Sequence, residues 1–455
     1  MGASGGPPKP GPVPSVACDG KAPLDPALRG IPGLRASWFN DPSGNERLYV
    51  LEAGPRAADT NTPPLVLIHG VGAIGTGDYF PVLGLLSQHR HILAIDLPGF
   101  GRSNPEDTDF GPERLARSVD TVVRACTPGK IDVLGHSSGG SLAVLFAATR
   151  ADVVRRLVLV DVAGILRPEV LLHGQLHQSL TTTRDKVPVI GKAIEKTGSA
   201  MIDAVQVLVP SAKKLADTGV LGDSPGVLAA TSLLDFNFGP AISEVRAPTL
   251  ILWGQIDYVV PTRIAQVLDD RIARSELVFI PDSGHVPMKD QPGSMSLLVT
   301  RYLDGPEPPK KEPGEPQPLD TTRDGLCKEQ EDVTLTGDYD EILITDCQRF
   351  RLLNVRARQI TVRKSQGRID DSTISHGLFV DDSDMYITGG RLHGPVAIES
   401  SDSELDIAGV SIRGSTAAIR ARKKSKLVLS VTSVHSPKTD TIVHKELELD
   451  DGQEL

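Results

Sequence analysis

The sequence predicts an α/β domain built on a parallel sheet, followed by a smaller all-β domain. Three observations predict this division. Residues up to 303 contain apolar runs of strand length, separated by segments long enough for helices. Residues 304–325 are dense in proline and charge, which is typical of a semi-rigid linker. Residues 326–455 consist almost entirely of short β-prone runs. We therefore expect two different folds joined by a linker.

Composition and charge exclude several classes of protein. The chain has 455 residues, of which 39% are hydrophobic and 23% charged, as in globular proteins. A net charge of -10 argues against a nucleic-acid partner, whose phosphates require a basic surface. No apolar stretch reaches the ~18 residues of a membrane span. Residues 1–30 predict a disordered Gly/Pro-rich tail without an export signal, so we slightly favour a cytoplasmic location.

The cysteines are too few and too scattered to predict a disulfide scaffold or a zinc site. The chain has four of them, at positions 18, 126, 327 and 347. Cys327 and Cys347 could pair, but we expect two free thiols.

Apolar runs predict the strands of the first domain. They are continuous rather than alternating, which is typical of strands buried on both faces of a parallel sheet. The runs cover residues 64–70, 91–99, 131–137, 156–164, 248–254 and 275–285. Helix-length segments between most of them predict βαβ units. The interval of about 165–245 is too long for one crossover and predicts a helical lid, with helices at 188–206 and 210–217.

A repeat organises the second domain. Pairs of apolar residues five apart recur along it, and a small or polar turn follows each pair. The pairs are Phe350/Val355, Ile369/Ile374, Ile387/Leu392, Ile407/Ile412 and Leu429/Val434. Short β runs at a steady period near 20 residues predict the coils of a parallel β-helix. An irregular β-sandwich is the alternative, since its strands would also be short.

Ser137 is the strongest candidate for a nucleophile. The segment GHSSGG lies between a predicted strand and a predicted helix, where the G-x-S-x-G motif forms a tight turn that exposes the serine hydroxyl. Such a serine needs a base and an acid that orients the base. Asp257 and His285 each follow a later strand, in the expected order. Asp161 also ends a strand and is the second choice for the acid.

Five motifs together carry a family resemblance. They are HGVGA (69–73), DLPGFGRS (96–103), GHSSGG (135–140), GQIDYVVP (254–261) and DSGHVP (282–287). The chain from about 45 to 303 resembles the α/β-hydrolase superfamily, in particular its lidded esterase-like and lipase-like members, and we assign residues 31–303 to that domain.

The resemblance implies a role for each matched position. Ser137 would be the nucleophile, His285 the general base and then acid, and Asp257 the residue that orients it. The backbone N–H groups of Val71 and Ser138 would form the oxyanion hole.

Other polar residues near the motifs receive weaker assignments. Gly70 and His136 are expected beside the substrate, although His136 could equally pack against the turn. His69 is expected to brace the loop that follows it. His173 and His177 lie four apart, as metal ligands on a helix can, but lack a nearby third ligand. We therefore expect no metal and no cofactor.

Members of this family that open epoxides carry an aspartate at the nucleophile position. The serine at this position in the present chain indicates acyl transfer instead. The sequence predicts a serine hydrolase that cleaves a carboxylic ester of a small, apolar substrate. A carbon–carbon bond hydrolase, a cofactor-free haloperoxidase and a non-catalytic binding or scaffold protein are the alternatives. The C-terminal domain is expected to bind a polysaccharide or protein partner, or to self-associate.

Overall fold

A computed structural model describes residues 20–40, 47–56, 61–72, 74–103, 109–127, 129–167, 225–311 and 319–455. The lid helices expected at 188–206 and 210–217 lie outside the described residues, as do residues 1–19 of the expected tail. The described residues form a nine-stranded sheet followed by a twelve-stranded sheet. Within these ranges, no helix is both long and apolar enough to cross a membrane.

The first sheet is mixed, with its parallel strands where the apolar runs predicted them. Its strands are β1 (Gly20–Lys21), β2 (Arg35–Asn40), β3 (Arg47–Ala53), β4 (Leu65–Ile68), β5 (Ile92–Ile95), β6 (Ile131–His136), β7 (Val154–Val160), β8 (Thr249–Gly254) and β9 (Ser275–Ile280). They lie in the order β1-β2-β3-β5-β4-β6-β7-β8-β9, and those from β5 onward in this order are mutually parallel.

The antiparallel edge of this sheet corrects the expected tail. β2 pairs with β3 and β3 with β5, both antiparallel, and the sequence analysis assigned neither β2 nor β3. Gly20 and Lys21 pair with Trp38 and Ser37 of β2. The order of this segment contradicts the disorder expected as far as residue 30: Gly20–Lys21 pair with β2, and Pro26–Leu28 form a short 3-10 helix.

Helices cover both faces of the first sheet. They are α1 (Phe80–Leu86), α2 (Pro112–Cys126), α3 (Ser138–Thr149), α4 (Pro225–Asp235), α5 (Gly239–Glu244), α6 (Arg263–Arg271), α7 (Pro287–Asp290) and α8 (Pro292–Asp304). Alternate residues of β4 point to opposite apolar cores, Val66 and Ile68 into one and Leu65 and Leu67 into the other. This two-sided burial is why the strands are continuous apolar runs.

The C-terminal domain is all-β, and most of its strands are parallel to their neighbours. They are β10 (Gly325–Lys328), β11 (Thr334–Thr345), β12 (Gln348–Arg363), β13 (Gln366–Asp370), β14 (Thr373–Ile374), β15 (Leu378–Asp381), β16 (Asp384–Thr388), β17 (Arg391–Ser401), β18 (Glu404–Ala408), β19 (Ser411–Ala421), β20 (Ser425–His435) and β21 (Asp440–Leu449). The last strand, β21, pairs antiparallel with β20 and covers that end of the stack.

The observed register follows the predicted repeat, with one correction. Ile369 pairs with Ile387, Ile387 with Ile407, and Ile407 with Leu429, so residues one coil apart stack as expected for a β-helix. The first coil is displaced by two residues. Leu352, rather than Phe350, pairs with Ile369. In the same coil Ala357, rather than Val355, pairs with Ile374. All of these side chains are apolar and buried, so burial alone did not discriminate between the two alignments.

A ladder of buried serines marks one corner of the coils. The backbone N–H of Ser365 donates to Ser383 Oγ at 3.0 Å, Ser383 to Ser403 at 3.2 Å and Ser403 to Ser425 at 3.5 Å. Each ladder hydroxyl in turn donates to the carbonyl two residues earlier. The corners therefore satisfy buried backbone groups that no strand pairing reaches. Cys347 occupies the preceding position of the ladder, and its backbone N–H donates to Ser365 Oγ at 2.9 Å.

The expectation of free thiols in the C-terminal domain is wrong. Cys327 and Cys347 form a disulfide, and Cys126 is disulfide-bonded as well. Strand pairing brings β10 beside the end of β11, which places two cysteines 20 residues apart on neighbouring coils.

The two sheets contact each other through α6. Ala408, Val428 and Val431 of the C-terminal domain belong to the same apolar core as Val267 of α6. Arg263, at the start of α6, is buried against that domain. Since α6 follows the loop that carries Asp257, this contact lies close in sequence to the predicted site.

Candidate active site

Ser137 lies on a strained turn between β6 and α3. Its φ of 54° and ψ of −127° place a non-glycine residue in a region that costs of order 1–3 kcal/mol. The neighbouring glycines make this turn possible. A Cβ at Gly135 would overlap the Gly139 carbonyl, and a Cβ at Gly139 would overlap the carbonyl oxygens of Ile68 and His69. The GHSSGG segment therefore folds this way because only hydrogen atoms fit at both positions.

The structure brings Ser137, His285 and Asp257 together from three separate strand ends. His285 Nε2 lies 3.1 Å from Ser137 Oγ, and His285 Nδ1 lies 2.8 Å from Asp257 Oδ2. The other Asp257 oxygen accepts the N–H groups of Val259 and Val260 at 2.7 and 3.0 Å. These distances allow the Ser137 proton to reach the imidazole, and the imidazole to be oriented by a carboxylate.

The two predicted oxyanion donors are beside Ser137, but one of them is already engaged. The Val71 N–H donates to Ser138 Oγ at 2.7 Å. The Ser138 side chain is buried next to the turn. A substrate oxygen would therefore compete with the Ser138 hydroxyl for the Val71 N–H. The motif alone did not predict this, because it specifies backbone positions and leaves the side chain after the nucleophile open.

His136 and His69 both position the surrounding backbone. His136 Nε2 donates to the His285 carbonyl at 2.7 Å, and burial, together with the nearby His285, lowers the pKa of His136 to about 4. His69 Nδ1 donates to the Gly70 carbonyl at 2.6 Å, while its Nε2 accepts the Leu97 N–H at 2.9 Å. His69 therefore braces the loop, as expected, and the uncharged His136 holds the backbone of His285.

Gly70 and Tyr79 complete the surroundings of Ser137. A Cβ at Gly70 would lie 3.0 Å from Ser137 Cβ, so this glycine leaves the hydroxyl accessible. The fully buried Tyr79 donates its hydroxyl to the Ile68 carbonyl at 2.7 Å, at the end of the strand that leads into the loop. No sequence motif indicated Tyr79, which lies in a short 3-10 helix.

Asp161, the second choice for the acid, lies beside Asp257 and does not replace it. Its Oδ1 accepts the Gly254 N–H at 2.8 Å, and its side chain is fully buried. His285 is paired instead with Asp257. Among the described residues, no group of three His, Cys, Asp or Glu side chains could hold a metal ion. His173 and His177 lie outside those residues.

Comparisons with known proteins show which family the chain is similar to. The model of the Alpha/beta hydrolase family matches residues 65–295. A 2-hydroxy-6-oxo-6-(2'-aminophenyl)hexa-2,4-dienoic acid hydrolase from Metapseudomonas resinovorans is 28% identical, over 58% of this chain and 90% of its own length. A pimeloyl-[acyl-carrier protein] methyl ester esterase from Yersinia enterocolitica is 26% identical, over 52% of this chain and 92% of its own length. A solved bacterial membrane phospholipase A is 26% identical, covers 61% of this chain and 88% of its own, and has a TM-score of 0.46.

The matched segment spans half of the chain and includes the strand ends that carry Ser137, Asp257 and His285. The protein belongs to the α/β-hydrolase family.

Proposed function

We propose that the protein is a serine hydrolase that cleaves a carboxylic ester through Ser137, His285 and Asp257. The observation that carries the proposal is the continuous contact from Ser137 Oγ to His285 Nε2 at 3.1 Å and from His285 Nδ1 to Asp257 at 2.8 Å. Two esterase features support it: a nucleophile on a strained turn and a relative that is a methyl ester esterase.

The reaction would proceed in two halves. His285 Nε2 takes the Ser137 proton as Oγ bonds to the ester carbonyl carbon, and then gives that proton to the leaving alcohol oxygen. Water, deprotonated by the same nitrogen, then releases the acid from the acyl-enzyme. Asp257 orients the imidazole and stabilises its charged form, while its own second oxygen is held by two backbone N–H groups.

The developing oxyanion would lie between the N–H groups of Ser138 and Val71. The N-terminus of α3 points at this position and favours negative charge there. To use the Val71 N–H, the substrate must displace the Ser138 hydroxyl or share the donor with it.

Hydrolysis of a carbon–carbon bond is the second candidate. The relative from Metapseudomonas resinovorans is named for a dienoic acid that contains an oxo group and no ester, so its hydrolysis must break a carbon–carbon bond. The same serine and histidine arrangement can serve either reaction, and the bond that is cleaved depends on the substrate pocket.

The test is labelling by a fluorophosphonate, which bonds covalently to an activated serine. We expect wild type to be labelled and Ser137→Ala to be unlabelled. Ser141→Ala is the matched control, because its hydroxyl lies farther along α3 and donates to the Ala163 carbonyl. Absence of labelling in folded wild-type protein would refute the proposal.

Two substrate arms separate the candidate reactions. p-Nitrophenyl esters from acetate to decanoate measure esterase activity, and a 2-hydroxy-6-oxo-dienoate measures carbon–carbon cleavage. Turnover of the dienoate alone, lost in Ser137→Ala, would replace the ester assignment by the second candidate.

A further inference from the structure

A buried carboxyl group beside Asp257 lacks the partners that an ionised carboxylate requires. Asp161 ends β7 and is 0% exposed. One of its oxygens, Oδ1, accepts the Gly254 N–H at 2.8 Å. The other oxygen, Oδ2, is buried and has no hydrogen-bond donor. A buried negative charge with a single neutral donor is strongly unfavourable, and such groups take up a proton instead.

Asp257 is the acceptor for a hydrogen carried by Asp161. The two side chains lie within hydrogen-bonding reach of each other. Two oxygen atoms that both only accept would repel at this separation, so one of the carboxyls must carry a hydrogen. Both Asp257 oxygens already act as acceptors, one for the N–H groups of Val259 and Val260 and the other for His285 Nδ1. The hydrogen therefore belongs to Asp161.

We propose that Asp161 is held as a neutral carboxylic acid that donates its hydrogen to Asp257 and so positions the carboxylate that contacts His285. Asp161 is then a positioning residue, since it acts through Asp257 and touches neither Ser137 nor the substrate. The claim about Asp161 and Asp257 stands on the structure, whereas its consequence for turnover rests on the proposed serine hydrolase function.

The electrostatic surroundings support a neutral Asp161. Burial, and then the charge of Asp257, raise the pKa of Asp161 well above its ordinary value, and the charge of Asp290 acts in the same direction. The backbone N–H of Gly254 opposes this shift. His285 contacts Asp257 directly, with its Nδ1 atom 2.8 Å from Asp257 Oδ2.

The first test measures protonation without using activity. Asp161→Asn replaces the neutral acid by an amide of the same shape, whose oxygen can accept from Gly254 and whose nitrogen can donate to Asp257. If Asp161 is neutral in the fold, unfolding releases its proton above about pH 4. The unfolding constant of wild type then rises relative to that of Asp161→Asn by about tenfold per pH unit, up to the pKa of Asp161 in the fold.

Urea denaturation, followed by tryptophan fluorescence, measures this ratio of unfolding constants for the domain that contains Asp161. Both tryptophans, Trp38 and Trp253, lie in the first sheet. Asp282→Asn is the matched control, since Asp282 shares a positive φ (53°, against 43° at Asp161) and follows strand β9 of the same sheet, but is exposed. A ratio for Asp161→Asn that stays constant from about pH 4.5 to 7.5, as in the control, would overturn the proposal.

The second test measures positioning through the rate of fluorophosphonate labelling against pH. Asp161→Leu has no donor for Asp257, so Asp257 should attract the His285 imidazolium more strongly and move the acidic limb of the profile to higher pH. Asp161→Asn, which keeps a donor, should restore the midpoint. Equal midpoints in the Leu and Asn variants would overturn the positioning role. If wild type is not labelled, the hydrolase proposal fails, while the urea experiment still decides the state of Asp161.

Discussion

Replacing Arg263 by alanine should destabilise the protein far more than a typical loss of a surface arginine. Arg263 begins α6, and its side chain is 9% exposed. It donates to Asp406 Oδ2 at 2.8 Å, to Thr388 Oγ1 at 2.5 Å, and to the backbone carbonyls of Ile387 and Asp406. One side chain thus supplies donors to two coils of the C-terminal domain.

The magnitude follows from what the substitution leaves behind. The Asp406 side chain is 11% exposed, so without Arg263 its charge is buried and unpaired. Breaking a buried ion pair by removing one partner costs about 3–5 kcal/mol. Arg274→Ala is the control, because Arg274 and its partner Glu307 are 43% and 48% exposed, and a surface pair of this kind contributes about 0–1 kcal/mol.

The assay is equilibrium urea denaturation, followed both by tryptophan fluorescence and by circular dichroism. We expect Arg263→Ala to lose about 3–5 kcal/mol, and Asp406→Leu in the same chain to recover part of it by removing the unpaired charge. A loss no larger than that of Arg274→Ala would refute the reasoning, because it would mean that α6 and the C-terminal domain do not pack in solution as the structure shows.

Three further predictions concern the serine turn, the disulfide and pH. Gly139→Ala should destabilise the protein by about 1–3 kcal/mol and abolish fluorophosphonate labelling, because the new methyl group overlaps two backbone carbonyls. Replacing Cys327 and Cys347 by serine should lower the free energy of unfolding by about 3 kcal/mol, the value for a closed loop of this length. Burial, and then the facing Asp371 carboxyl, raise the pKa of Asp270 to about 7, so stability should fall from about pH 4 to 7, and less so in Asp270→Asn.

Each of these has its own check. A glycine variant that is labelled at the wild-type rate would contradict the steric account of the turn. Thiol counting in denatured, unreduced protein compares wild type with the double serine variant, and two more titratable thiols in wild type than in the variant would contradict this disulfide. For the pH effect, thermal unfolding of both proteins across the range is compared. Because Asp270 keeps contact with solvent, we expect a slope shallower than that of a fully buried carboxyl, and parallel curves would contradict a raised pKa of Asp270.

Local patterns predicted much of the fold because the relevant forces act locally or periodically. The runs that became β4 to β9 are predominantly apolar, since helices cover both sides of the sheet. The register of the β-helix could be predicted from the sequence because each apolar position recurs once per coil. It failed by two residues only in the first coil, where the neighbouring candidates Phe350 and Leu352 are both buried.

Strands β2 and β3 were missed for a related reason. Their segments, RASWFN and RLYVLEA, include charged and polar residues and belong to the antiparallel edge, where a continuous apolar run is not required.

Local signals in the sequence located the candidate catalytic residues, because a serine between glycines is visible as a motif, and so are an acid and a histidine at strand ends. How these groups meet depends on the tertiary fold. Three contacts depend on separations of a few ångströms between distant segments. They are the hydrogen bond from the Val71 N–H to the Ser138 hydroxyl, the approach of Asp161 to Asp257, and the burial of Arg263 against Asp406. The energies of hydrogen bonds and of buried charges change with each ångström of separation. Sequence patterns specify the position of a residue only to within a turn or a strand.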